Sequence, residues 1–277
     1  MDRRKAMKAA AGIIAGGGAG LLTMAYGFKP QDQPDEVPQK LDYNHPEGSW
    51  NYVPLDPEVT AQLAYDYYSE GSCMYGTIKS VVSQLAQTYG EPYASFPIHM
   101  FKYGHGGVGG YGSVCGAING AAALIGLLIA EKSVQDRMIT DMFQWYEKES
   151  FPAFRPVKPA LDYVPAPSVS NSILCHASNT NWCKATGFKV ASAERKERCR
   201  RLTADVAGKI TASLNDAVAN VYVTGMHGNE AANTCVTCHG DEGKLKNTAV
   251  KMSCNSCHDK SIGHRVFADV HYKLMKE

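Results

Sequence analysis

The chain has 277 residues, enough for one or two domains, with 28 Lys and Arg against 27 Asp and Glu and a formal net charge of +1. No basic patch or stripe stands out, which excludes a nucleic-acid binder. The unusual feature is nine cysteines, split into five upstream and four near the C-terminus.

The opening stretch MDRRKAMKAAAGIIAGGGAGLLTMAYG has a basic start, an apolar run rich in Gly and Ala, and a small residue near Ala25. This is the pattern of an export signal over residues 1–25, so the expected compartment is the periplasm. Arg3 and Arg4, followed by Lys5 and Lys8, resemble a bacterial twin-arginine signal, with Ala6 where Phe or Leu is usual. An ordinary secretory signal or an uncleaved anchor is the alternative. Cleavage near Ala25 removes four cations and Asp2, which leaves a net charge of about −2. No other segment approaches the ~20 apolar residues that span a bilayer, so the mature chain is expected to be soluble, without a transmembrane segment.

Residues 26–56 are rich in Pro, Asp and Tyr without a sustained period and read as an extended arm. A helix is predicted from Asp56 as N-cap and Pro57 at the first helical position, with apolar spacing through Leu63, Tyr67, Ile78, Val82 and Leu85 and an interruption near Gly71. The stretch FKYGHGGVGGYGSVCGAING is a glycine-rich loop delivering Cys115 to the start of an apolar helix. Gly104, Gly106 and Gly109 spell GxGxxG, but a dinucleotide site requires a preceding strand and a later acidic residue, and neither is evident. Ser133 and Asp136 suggest a capping box for a helix through Phe143, Trp145 and Tyr146. A Pro-rich connection, 152–167, leads to the segment with Cys175 and Cys183. One long amphipathic helix bearing Cys199 follows, with Leu202, Val206, Ile210 and Leu214 on its apolar face. The expected fold is mainly α: a helical cysteine domain over 57–225, then an irregular C-terminal segment, 226–277.

That last segment contains CVTCHGDEGKLKNTAVKMSCNSCH, two CxxC pairs each followed directly by a histidine. Four thiolates around one zinc ion fit the gap between the pairs, but that closed site leaves His239 and His258 unused. Two C-x-x-C-H sites for c-type haem use all six residues. Cys235 and Cys238, and Cys254 and Cys257, would form the thioether links, with His239 and His258 as proximal iron ligands. Two such motifs in one short segment favour two covalent haems.

Cys73, Cys115, Cys175, Cys183 and Cys199 admit three readings: two structural disulfides with one spare thiol, a redox-active thiol pair, or four thiolates around an iron–sulfur cluster. Folded export favours the cluster. Twin-arginine export carries proteins already folded around a cofactor, whereas c-type haem is attached outside the cytoplasm, so a second metal centre is implied.

GGVGGYGSVCGAINGAAALIGLL resembles the C-GCAxxG-C-C family of redox proteins, whose pattern is matched by Cys73, Cys115, Cys175 and Cys199, with Cys183 as an extra. With its two terminal C-x-x-C-H motifs, the whole mature chain resembles the split-Soret cytochromes c of sulfate-reducing bacteria. That resemblance implies a homodimer, two bis-histidine c-type haems per subunit near one end, and a [2Fe-2S] cluster elsewhere.

Distal ligands are expected from His227 and His264, which flank the two motifs; His271 is a further histidine of the segment. His45, His99 and His176 read as surface residues, and His105 as a loop residue able to reach a neighbouring subunit's haem. An electron carrier serving redox partner proteins is the leading expectation. The alternatives are a haem reductase of a small nitrogen or sulfur oxyanion and a thiol–disulfide oxidoreductase. No paired-acid motif, Ser-His-Asp set or phosphate loop supports other catalysis.

Overall fold

A computed structural model describes residues 50–224, 230–249 and 251–254. The chain divides into two units, Met1–Val37 and Pro38–Glu277, and every described residue belongs to the second. The export signal, most of the extended arm, His45 and His271 lie outside the described residues.

The described chain is mainly helical, as its periodicity predicts. Asp56 caps the first helix, α1 (Pro57–Tyr89), its carboxylate accepting from the Glu58 and Val59 N–H groups at 2.8 and 3.3 Å. The expected interruption is a reversal at Ser72 (φ 68°, ψ −159°). Gln84 Nε2 donates to Thr60 Oγ1 at 2.9 Å, although a straight helix would set these residues about 36 Å apart. The two halves of α1 therefore lie against each other. That backbone region is almost closed to residues with a Cβ, so Ser72 holds strain next to Cys73.

A 3-10 helix (Ile98–Tyr103) precedes the glycine loop, where a dinucleotide site would need a strand. Beyond it come α2 (Gly116–Leu128), α3 (Lys132–Lys148), the paired strands β1 (Ser150–Phe151) and β2 (Ser168–Val169), α4 (Cys175–Thr186) and α5 (Ala193–Val218). The predicted capping box on α3 is not formed. Glu131 is the N-cap, Ser133 donates to Glu131, and Asp136 pairs with Lys132. A lysine one turn upstream captures the carboxylate that the box would have used.

The main packing is of α1 on α5, with α2 lodged against both and α3 against α2. Ile78, Val81, Val82 and Leu85 meet Ile118, Leu124 and Ile125, then Leu202, Val206, Ile210 and Leu214 in one apolar core. Met138, Met142 and Tyr146 close it from α3. Among the described residues no helix is long and apolar enough to cross a membrane.

The C-terminal segment departs from its expectation. It is not irregular throughout, because α6 (Glu230–His239) carries the first CxxCH motif. Helical spacing suits that motif, since cysteines three apart project from one face.

Candidate redox centre and haem-motif segment

Four of the five upstream cysteines are delivered to one place by four elements. Cys73 follows the reversal in α1, Cys115 is the N-cap of α2, Cys175 is the first residue of α4, and Cys199 lies in the second turn of α5. Backbone pairing locks two of them side by side. Cys115 N–H donates to Ile173 O (2.9 Å), Cys175 N–H to Ser113 O (2.8 Å) and His176 N–H to Gly112 O (3.0 Å), around a Val114–Leu174 bridge. Both thiols thus sit at positive helix starts, which favour thiolate.

Glycines let these elements approach. Gly112 has φ 71°, and a Cβ there would lie 3.0 Å from the His176 Cβ. A Cβ on Gly116 would lie 1.9 Å from the Gly104 carbonyl oxygen and 3.1 Å from the Cys73 Cβ. The loop thereby folds flat onto the start of α2, with Cys73 beside it.

All five upstream cysteines are free thiols, and Cys73, Cys115, Cys175 and Cys199 are buried. Burial raises the Cys73 thiol well above its usual range, and the neighbouring Cys115, Cys199 and Cys175 push it further. Burial pushes Cys175 up to about 12, with Cys115 and Cys199 adding to it. Burial also raises Cys115, while the Tyr146 hydroxyl and the Ala117 N–H pull it back. Asn179 bridges two of the thiols, its Nδ2 donating to Cys175 Sγ at 3.1 Å and its Oδ1 accepting from Cys199 Sγ at 3.4 Å. The Nη1 atoms of Arg195 and Arg198 stand 3.9 and 4.0 Å from Cys199 Sγ.

Cys183 is separate. It is half-buried on α4, two turns beyond Cys175, and eight helical residues put it about 12 Å further along the axis. Among the described residues no three His, Cys, Asp or Glu side chains are placed to hold a single metal ion. The four buried thiols Cys73, Cys115, Cys175 and Cys199 nevertheless influence one another's ionisation, so they share one neighbourhood.

In the terminal segment, Cys235 is half-buried and Cys238 exposed, on a helix that ends at His239. The His239 Nδ1 is 3.0 Å from Asn247 Oδ1. An Nδ1–H donated to that oxygen leaves Nε2 with the free lone pair a metal requires. The Asn247 and Thr248 N–H groups both donate to the His239 carbonyl at 3.0 Å. Cys254 is half-buried, and Ser253 N–H before it donates to Glu147 Oε1 at 3.2 Å. Cys257, His258, His227 and His264 lie outside the described residues. Of the remaining histidines, His99, His105 and His176 are exposed.

Sequence reasoning passed over Arg198, Asn179, Tyr146 and Asn247. Asn179 alone left a local signal, one helical turn after Cys175.

Four buried free thiols gathered from separate helices define a cysteine-based redox protein. Accordingly, the family model described as "Putative redox-active protein (C_GCAxxG_C_C)" matches residues 75–213. That span takes in Cys115, Cys175, Cys183 and Cys199 and begins just past Cys73. The split-Soret cytochrome c of Desulfovibrio desulfuricans (strain ATCC 27774 / DSM 6949 / MB) is 35% identical over 217 residues, covering 76% of this chain and 77% of that protein. A solved structure described as "A novel iron centre in the split-Soret cytochrome c from Desulfovibrio desulfuricans ATCC 27774" matches with a TM-score of 0.71 at 33% identity, covering 76% of this chain and 90% of that one. The chain belongs to the split-Soret cytochrome c family.

Proposed function

We propose that the protein is a periplasmic electron carrier with two covalent c-type haems and one [2Fe-2S] cluster per subunit, working as a homodimer with redox partner proteins. The haems attach at Cys235 and Cys238 with His239 as ligand, and at Cys254 and Cys257 with His258. His227 and His264 supply the distal positions. The cluster is held by Cys73, Cys115, Cys175 and Cys199, and Cys183 is left out because it lies two turns away along α4. The leader over 1–25 directs export, the arm over 26–56 joins it to the helical domain over 57–225, and the haem segment spans 226–277.

One observation carries this reading: four buried thiols converge from four elements beside a buried guanidinium. A two-iron cluster divides its four ligands between two metal atoms, which suits four cysteines brought in by four separate elements. When bound, these groups supply one-electron exchange without substrate chemistry. The protein's own part is to bury the sulfurs from water, to aim two thiols from helix starts, and to orient His239 through Asn247.

Carrier and reductase differ in whether an iron keeps an open position. Bis-histidine haems are low-spin in both oxidation states and do not take up carbon monoxide. The reduced protein is therefore expected to keep its visible spectrum under carbon monoxide. A high-spin signal with a carbon monoxide adduct on one haem would establish the reductase instead.

A further inference from the structure

Arg198 and Arg201 are both buried in α5, at 1% and 2% exposure, and have different surroundings. Arg201 pairs with Glu197 at 2.8 Å. Arg198 belongs to none of the three ion pairs among the described residues. Its Nη2 donates to Ser178 Oγ at 2.9 Å, its Nη1 lies 4.0 Å from Cys199 Sγ, and its Nε is buried without a partner. Asp205 is influenced by Arg198 only after several stronger effects, and its carboxylate already accepts the Ala153 and Phe154 N–H groups at 3.0 and 2.8 Å.

A buried cation with no carboxylate partner is unfavourable unless something else supplies negative charge. Besides Asp205, the ionisable groups that act on Arg198 are Cys199, Tyr146 and Cys115; burial holds the Tyr146 hydroxyl neutral, which leaves the sulfurs. As neutral thiols or disulfides they provide nothing, whereas thiolates bound to a metal cluster are a concentrated anion.

We propose that Arg198 is the built-in counter-charge of the four-cysteine centre, so that the centre is designed for a group of net negative charge and its electron affinity is set by this guanidinium. The inference rests on the cluster reading above. A second route links Arg198 to the centre: Tyr146 Oη, which contacts Cys115, shares the Ser178 hydroxyl with it at 3.1 Å. Arg198 touches the ligands' surroundings and transfers no electron, so it is a positioning residue. It makes the reduced, more negative form of the cluster easier to reach.

The test uses the full-length, haem-loaded protein with Arg198→Met, which keeps an unbranched stem without the charge, and Arg198→Gln, which removes the charge but keeps a side-chain N–H donor. The readouts are labile iron and sulfide, the cluster's midpoint potential by EPR-monitored titration, and the thermal stability of iron-free protein. Both variants are expected to shift the potential in the negative direction and to lose iron to a chelator at about tenfold lower concentration, as for other residues that support metal ligands. Arg198→Lys should restore most of both properties. Iron-free Arg198→Met should be no less stable than the iron-free parent, because an unpaired buried charge has been removed. Unchanged potential and iron retention in both neutral variants would overturn the role of Arg198. Parent protein lacking labile iron and sulfide would overturn the cluster reading itself.

Discussion

Replacing Cys115 with serine is expected to strip the acid-labile iron from the protein and leave both haems in place. Cys115 N-caps α2, is tied by backbone to the loop before Cys175, and is near enough to Cys73 and Cys199 for their charges to act on one another. A hydroxyl is a poor substitute for thiolate at a soft metal centre, and three remaining thiols leave one iron short of a ligand. Iron should fall from about four to about two per chain, the remainder in haem. Because α1, α2, α4 and α5 meet at this centre, thermal stability should fall with the loss of metal. Haem content should stay at the parent value, since CxxCH chemistry lies in another segment. Loss of haem together with labile iron would contradict this separation.

Gly116→Ala is expected to cause the largest loss of stability of any single methyl addition at a described glycine. The new carbon would sit 1.9 Å from the Gly104 carbonyl oxygen and 3.1 Å from the Cys73 Cβ. Neither neighbour is the flexible end of a long side chain. The loop must therefore lift from α2, at a cost of at least about 3 kcal/mol. For a domain of this size that lowers Tm by about 10 °C. The same shift separates Cys115 from Cys73, so labile iron should fall with stability. Gly126, with nothing within 4 Å of its added Cβ, is the internal control: Gly126→Ala should be neutral or slightly stabilising, because alanine suits a helix better. Equal stability of the two variants by thermal denaturation would refute the close-approach argument.

What the sequence disclosed follows from how local each signal is. Asp56, Pro57 and the apolar spacing of α1 are read within a few residues, and so is Cys115 after its glycines. The long helix α5 was legible from Leu202, Val206, Ile210 and Leu214, but its buried face is wider than that stripe, taking in Glu197, Arg198 and Arg201. Charged residues on a helix ordinarily face water, so nothing local marked Arg198 as interior. The Ser72 reversal was visible only as a weakness near Gly71, because a serine at positive φ is held there by tertiary packing. The pairing of residues 112–115 with 173–176 joins segments about sixty positions apart and leaves no periodic trace. Helix α6 was missed because EAANTCVTCH is short and carries no apolar stripe. Cys183 was already the extra cysteine in the family pattern, and the helix over Cys175–Thr186 adds that it stands two turns from Cys175.

The most direct test of the account is the amount of iron and acid-labile sulfide per chain in protein purified without exposure to air. Two haems and a two-iron cluster predict about four irons and about two sulfides per chain. Two irons, no sulfide and disulfide bridges among Cys73, Cys115, Cys175, Cys183 and Cys199 would contradict it.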